Sequence, residues 1–196
     1  MPLSTTHALV PLAAALAFAR KPVPWPLLIA AAAAAAAPDI DAVSHRLFHI
    51  PFTSVYSHRG AAHSLFAAIA AGCLASVFHR RLGVRSLTAG VVVGASMASH
   101  GILDMMTDRG LPVAYLWPLT SLRVAADWRP IHAPQLQWAH LATELLPRLW
   151  SELWQLILPM FAVAVAIRAA RTLIAPKVES SSKSLERLPT ESNPVS

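Results

Sequence analysis

Ser86 to Met106 reads SLTAGVVVGASMASHGILDMM, and this stretch decides the fold. As a helix rising about 1.5 Å per residue it is roughly 30 Å long, the thickness of a bilayer's hydrocarbon core. Asp104 is its one formally charged side chain. His100 and Asp104 stand four residues apart near its end, so on a helix they project from one face. Ionisable groups at membrane depth are costly and tend to face a functional interior. The stretch therefore points to a membrane helix with a site at one end, and His-x-x-x-Asp can supply two ligands to one metal. The plainer reading is a polar contact tying helices together.

Four further apolar segments lie around it: Leu3 to Ala19, Trp25 to Ala37, Ala62 to Phe78 and Leu149 to Ile167. With 55% hydrophobic residues and a mean hydropathy of +0.50 over 196 residues, the expected fold is all-α, a polytopic membrane helix bundle of four to five apolar segments. It should occupy 1–176, with a polar loop at 107–148. The Ser-, Pro- and charge-rich tail at 177–196 cannot bury a core and is expected to be disordered. Pro22, Pro24 and Pro26 break the chain between the first two segments. The second is short for a span and reads as a tilted, re-entrant or hairpin helix, with alanines that permit close helix approach. Ser64 is placed to cap the third. Asp39 to Gly60 reads as a polar loop, and Gln135 to Leu146 as an amphipathic helix at the interface. Met1 to Thr6 carries no Lys or Arg, so the first segment reads as retained rather than as a cleaved signal. Cys73 has no partner cysteine and reads as a small apolar residue.

The charge of +6 raises the question of nucleic acid, but no basic face interleaved with aromatics exists, and no nucleic-acid partner is expected. The basic residues sit in short junctions near Arg20, Arg80 and Arg168. Putting these junctions on one face satisfies the positive-inside rule with five alternating segments. That face collects ten of the sixteen Lys and Arg, and the other collects eight of the nine histidines and seven of the ten carboxylates. His7, Asp39, Asp41, His58, His63, His100 and Asp104 then meet at one membrane surface, facing the non-cytoplasmic side, with the C-terminal tail cytoplasmic.

His58 and His63 straddle Gly60, whose freedom allows the chain to fold both rings into one pocket; interfacial histidines near headgroups are the alternative. Asp39 and Asp41 would point to opposite sides of extended backbone, so one is expected as a ligand and the other as an acceptor orienting a histidine. Asp39 joins the expected metal set of His7, Asp39, His58, His63, His100 and Asp104. Asp41 and Arg59 are placed on the catalytic side. His7 follows Thr5-Thr6, a candidate helix cap. Mixed imidazole and carboxylate donors suit zinc, or manganese or iron, rather than calcium, and their number allows one or two ions. Arg59 could hold a phosphate with its planar fork or anchor the loop to headgroups. No Gly-rich phosphate loop, His-Glu-x-x-His or Gly-x-Ser-x-Gly motif is present.

Thr6-His7, PDID at Pro38 to Asp41, HRGAAHS at His58 to Ser64, SHGILD at Ser99 to Asp104 and Trp117-Pro118-Leu119 together resemble the YdjM-like family of inner-membrane, predicted metal-dependent hydrolases. Ala62 stands where members often have threonine. The resemblance covers about the first 120 residues and implies the bacterial inner (plasma) membrane as location. A distant similarity to zinc-dependent phospholipases C implies hydrolysis of a phosphoester, of a lipid or otherwise, by metal-activated water. The alternative class is a non-enzymatic membrane protein that binds or transports metal through the same residues; a structural helix bundle is the third.

Overall fold

The computed structural model describes residues 3–51, 54–132 and 141–174. The apolar segments become helices wherever prolines and polar junctions release them. These are α1 (Ser4–Phe18), α2 (Trp25–Ala36), α4 (Leu65–Val77), α5 (Ser86–Met105) and the continuous run of α6 (Leu141–Glu152), a π turn (Leu153–Ile157) and α7 (Leu158–Ile174). Ser64 caps α4 as expected, its hydroxyl oxygen accepting the Ala67 amide at 3.1 Å. The π turn has an evident cause. Pro159 lacks an amide and its ring would collide with the Gln155 carbonyl one turn back, so the helix widens there.

The expectation of a loop from Asp39 to Gly60 needs correcting. Ala37–Ile40 is a 3-10 turn running into α3 (Asp41–Phe48), closed by His49 at φ 52°. Asp39 and Asp41 thus stand on helical, not extended, backbone. Nor do Thr5 and Thr6 cap α1, which starts at Ser4 with Leu3 in the cap position. Of the expected helix Gln135 to Leu146, residues 135–140 lie outside the described residues and 141–146 form the start of α6; the tail also lies outside them.

Successive long helices run in alternating directions. α1 and α4 begin, and α2 and α5 end, at the same end of the bundle as His7, Asp39, His63, His100 and Asp104. At the other end, Gly83 of the α4–α5 turn lies against Pro24 of the α1–α2 turn. The last helix runs parallel to α1. Glu152 meets Leu3 and Thr6 near its start, while Arg168 and Arg171 donate to the Leu16, Ala17 and Ala19 carbonyls near its end.

The packing is that of a protein meant for lipid. Its buried apolar residues are mostly small: Ala13, Ala17, Ala31, Ala35, Ala68, Ala89 and Ala164. Many large ones, among them Phe18, Ile29, Ile69, Leu74, Leu87, Val163 and Leu173, face outward. In water such a surface would drive association; against acyl chains it is the favourable one. α4 and α5 pack closely through Gly72, Gly90 and Gly94. A Cβ on Gly72 would stand 2.7 Å from the Gly90 carbonyl oxygen.

The all-α part of the expectation holds, with no strand among the described residues, but a bundle of four to five spans is not established. Among the described residues only Ser86–Met105 and Leu145–Ile174 are long and apolar enough to cross a membrane; Ser4–Phe18, Trp25–Ile40 and Leu65–Val77 are apolar but shorter. Residues 107–132 form no strand, only isolated bridges from Thr107 to Ile131 and Val113 to Val124. They nevertheless fold back over the polar end, Ala114 donating to the Arg59 carbonyl and Leu65 to that of Tyr115.

Candidate metal centre

Four chain segments deliver the cluster. α1 carries His7 in its first turns, and the 3-10 turn after α2 carries Asp39. The last two turns of α5 carry His100 and Asp104, and the turn Ala61–His63 carries His63. That last turn is set by Gly60, where a side chain would strike the Val55 carbonyl, whose oxygen accepts the Ala61 amide at 2.6 Å. Here the sequence demands glycine for close approach.

His7, Asp39, His63, His100 and Asp104 are all buried, and His58 is half-buried beside them. The donor atoms form three overlapping groups: His7–Asp39–His100, Asp39–His58–His63 and His63–His100–Asp104, within each of which they lie no more than 4.8 Å apart. His63 Nε2 is 3.6 Å and His100 Nε2 3.8 Å from Asp104 Oδ2, and His7 Nε2 is 3.7 Å from Asp104 Oδ1. His100 Nε2 is 3.5 Å from Asp39 Oδ1. These separations are too long for hydrogen bonds but close to the roughly 3.4 Å between donors that each sit about 2.1 Å from a tetrahedral ion.

Both ring nitrogens of His7, Nε2 of His63 and of His100, Oδ1 of Asp39 and both Asp104 oxygens have no hydrogen-bond partner among the described residues. A buried polar atom without a partner is costly, and such atoms seldom converge by chance. Charge gives the same answer. With the imidazoles neutral, the three carboxylates Asp39, Asp41 and Asp104 outnumber the Arg59 guanidinium beside Asp104 and Arg123, which interacts with Asp41, an excess of negative charge that a metal cation would offset. The donors present therefore fit a divalent metal.

The surrounding contacts orient the rings. His100 Nδ1 donates to the Ala35 carbonyl at 2.7 Å, which leaves Nε2 as its lone-pair nitrogen. Asp41 serves two histidines, with Oδ1 2.7 Å from His58 Nδ1 and Oδ2 3.2 Å from His63 Nδ1. Burial raises the Asp41 carboxyl, but its hydrogen bonds with His58 and His63 outweigh that and hold it below the usual range. Burial pushes the His63 imidazole down, against the upward pull of Asp41, toward the neutral form that metal binding would require. Asp41 thus contacts both rings from outside the three donor groups.

Arg59 is arranged differently from the expected phosphate fork. It adopts φ 104° and is buried, with Nε 3.2 Å from Asp104 Oδ2. Its other two nitrogens donate to the Leu111 carbonyl at 2.7 Å and the Thr107 hydroxyl at 3.1 Å. As folded, the guanidinium holds Asp104 in place and ties the 107–132 loop to the cluster.

Two polar residues escaped the reading of the sequence. Glu152 and Arg148 are buried in the last helix, paired at 3.2 Å. The Glu152 carboxylate accepts the Leu3 amide at 2.8 Å and the Thr6 hydroxyl, so it caps α1 one turn before His7. The rule that singled out Asp104, an ionisable group in an apolar segment, finds Glu152 as well. Of the other histidines, His79 lies at the far end, bonded to the Val84 carbonyl, and His132 pairs with Asp108 in the loop.

An all-helical protein with small buried residues, large outward ones and a buried His/Asp cluster at one end is a membrane protein with a candidate metal site. A family model described as YdjM inner membrane protein matches residues 1–176, and the chain belongs to that family. It is 37% identical to inner membrane protein YbcI of Escherichia coli (strain K12) over 136 residues, 67% of this chain and 76% of the relative. No solved structure matches the chain.

Proposed function

We propose that the protein is a membrane-embedded, metal-dependent hydrolase acting on a phosphoester. The observation that carries the reading is the convergence of unpartnered buried donors from His7, Asp39, His63, His100 and Asp104 in a cluster with excess negative charge. Zinc suits that donor set best, with manganese or iron next. A bound divalent ion supplies Lewis acidity, acidifying water and polarising a phosphoryl oxygen. The chain's part is to hold and orient. His63, His100 and Asp104 form one donor group, His7, Asp39 and His58 stand around it, and Asp41, the Ala35 carbonyl and Arg59 fix ring and carboxylate directions.

The alternating helices support a bundle in the inner membrane, with the shorter helices completing it at the site end. With the Arg20, Arg80 and Arg168 junctions cytoplasmic, the cluster faces the non-cytoplasmic side, where lipid headgroups supply phosphoesters. Purified full-length protein, loaded with zinc in detergent or vesicles, should hydrolyse phosphoester substrates, lipid or soluble, and lose that activity to chelator. Metal binding without hydrolysis across such a panel would instead favour a metal-binding or transport protein.

A further inference from the structure

The stacking of His7 on His100 limits how the cluster can be filled. Their ring centroids are 3.8 Å apart and the planes are inclined by only 21°. A metal bound to an imidazole lies near the ring plane, with the ring centroid about 3.2 Å away for a metal–nitrogen bond of about 2.1 Å. Two planes so nearly parallel meet only on the order of 10 Å from the rings, far beyond that bond length. Even ignoring the planes, centroids 3.8 Å apart subtend about 70° at a common ion, less than the roughly 90° or 109° of octahedral or tetrahedral sites. His7 and His100 therefore cannot serve the same ion.

His63 and His100 can. Their centroids are 4.7 Å apart with planes inclined by 74°, which subtends about 95° at a shared ion. His100 cannot bridge, because its Nδ1 is bonded to the Ala35 carbonyl and only Nε2 remains. Asp104 can bridge. Its Oδ2 faces His63 Nε2 and His100 Nε2, while its Oδ1 faces His7 Nε2. Neither oxygen has a hydrogen-bond partner among the described residues, and the Arg59 ion pair holds the carboxylate between the two sets of imidazoles.

We propose that the cluster binds two divalent cations bridged by Asp104, one held by His63, His100 and Oδ2, the other by His7 and Oδ1 with Asp39 in reach. The proposal rests on the reading of the cluster as a metal centre and adds the number of ions and their partition. Carboxylate-bridged ions in such sites lie about 3.5–4 Å apart, close enough for magnetic coupling.

Manganese loading of the full-length protein in detergent tests it, read by elemental analysis and electron paramagnetic resonance. The expected result is two manganese ions per chain with an exchange-coupled multiline spectrum. His7→Ala should hold one ion per chain and show the six-line signal of isolated manganese. One ion per chain in the unaltered protein, or two uncoupled ions, overturns the proposal without any variant, and two ions retained in His7→Ala overturns the partition. Phosphoester hydrolysis by a one-ion protein would end the ion pair and leave the hydrolase standing. Two coupled ions without hydrolysis would do the reverse.

Discussion

Asp41 offers the sharpest quantitative handle, because its one carboxylate orients two histidines from outside the donor set. Asp41→Asn keeps the shape and one accepting oxygen. The amide nitrogen that replaces the other oxygen cannot accept the Nδ1–H of His58 or His63, which lie 2.7 Å and 3.2 Å from the native oxygens. One ring therefore loses its orienting partner, whereas Asp41→Ala strips both. Loss of such outer contacts weakens metal binding about 10- to 100-fold, or roughly 1.4–2.7 kcal/mol at 1.36 kcal/mol per tenfold. Asp41→Asn should fall near the lower figure and Asp41→Ala near the upper. Zinc affinity of detergent-purified protein, measured by competition against a chromophoric chelator, gives the number. His79→Ala is the control, since that ring bonds the Val84 carbonyl at the opposite end of the bundle. If both Asp41 variants stay folded and bind zinc within twofold of the unaltered protein, Asp41 does not orient the ligands and the cluster is built differently.

Gly72→Leu should separate α4 from α5, because even its Cβ meets the Gly90 carbonyl oxygen at 2.7 Å; overpacking of this kind costs about 1–3 kcal/mol, visible as earlier unfolding in a detergent-denaturation series. Glu152→Ala should cost about 3–5 kcal/mol by breaking its buried ion pair with Arg148, and by removing the acceptor of the Leu3 amide and Thr6 hydroxyl it should loosen residues 3–8 in hydrogen exchange. Chelation of the metal-loaded protein should lower its melting temperature, because free metal at 100 times its dissociation constant contributes about 2.7 kcal/mol, and His79→Ala should respond identically to the unaltered protein.

Much of this was legible from residue order alone. The boundaries of α1, α2, α4 and α5 follow from where prolines, arginines and the Ser64 cap interrupt apolar runs. Polar residues that alternate between the ends of such runs must meet if successive helices reverse direction, and His7, Asp39, His63, His100 and Asp104 do meet. What escaped depends on distant or weak signals. α3 is eight residues long, too short to announce itself within a polar stretch. The role of Arg59 turns on Leu111 and Thr107, about fifty positions away, which no local pattern connects to it. Glu152 caps α1 from 149 residues further along the chain, a pairing set by tertiary packing alone.

The most direct test of the metal centre is X-ray absorption at the zinc edge on the purified, zinc-loaded full-length protein. The account predicts nitrogen and oxygen neighbours at about 2.0–2.1 Å with imidazole multiple scattering and no sulfur, because Cys73 is exposed on α4 outside the cluster. The imidazole signal should collapse in a His63→Ala, His100→Ala double variant. A hydrated ion with no imidazole scattering, a sulfur neighbour, or a spectrum unchanged in the double variant would contradict it.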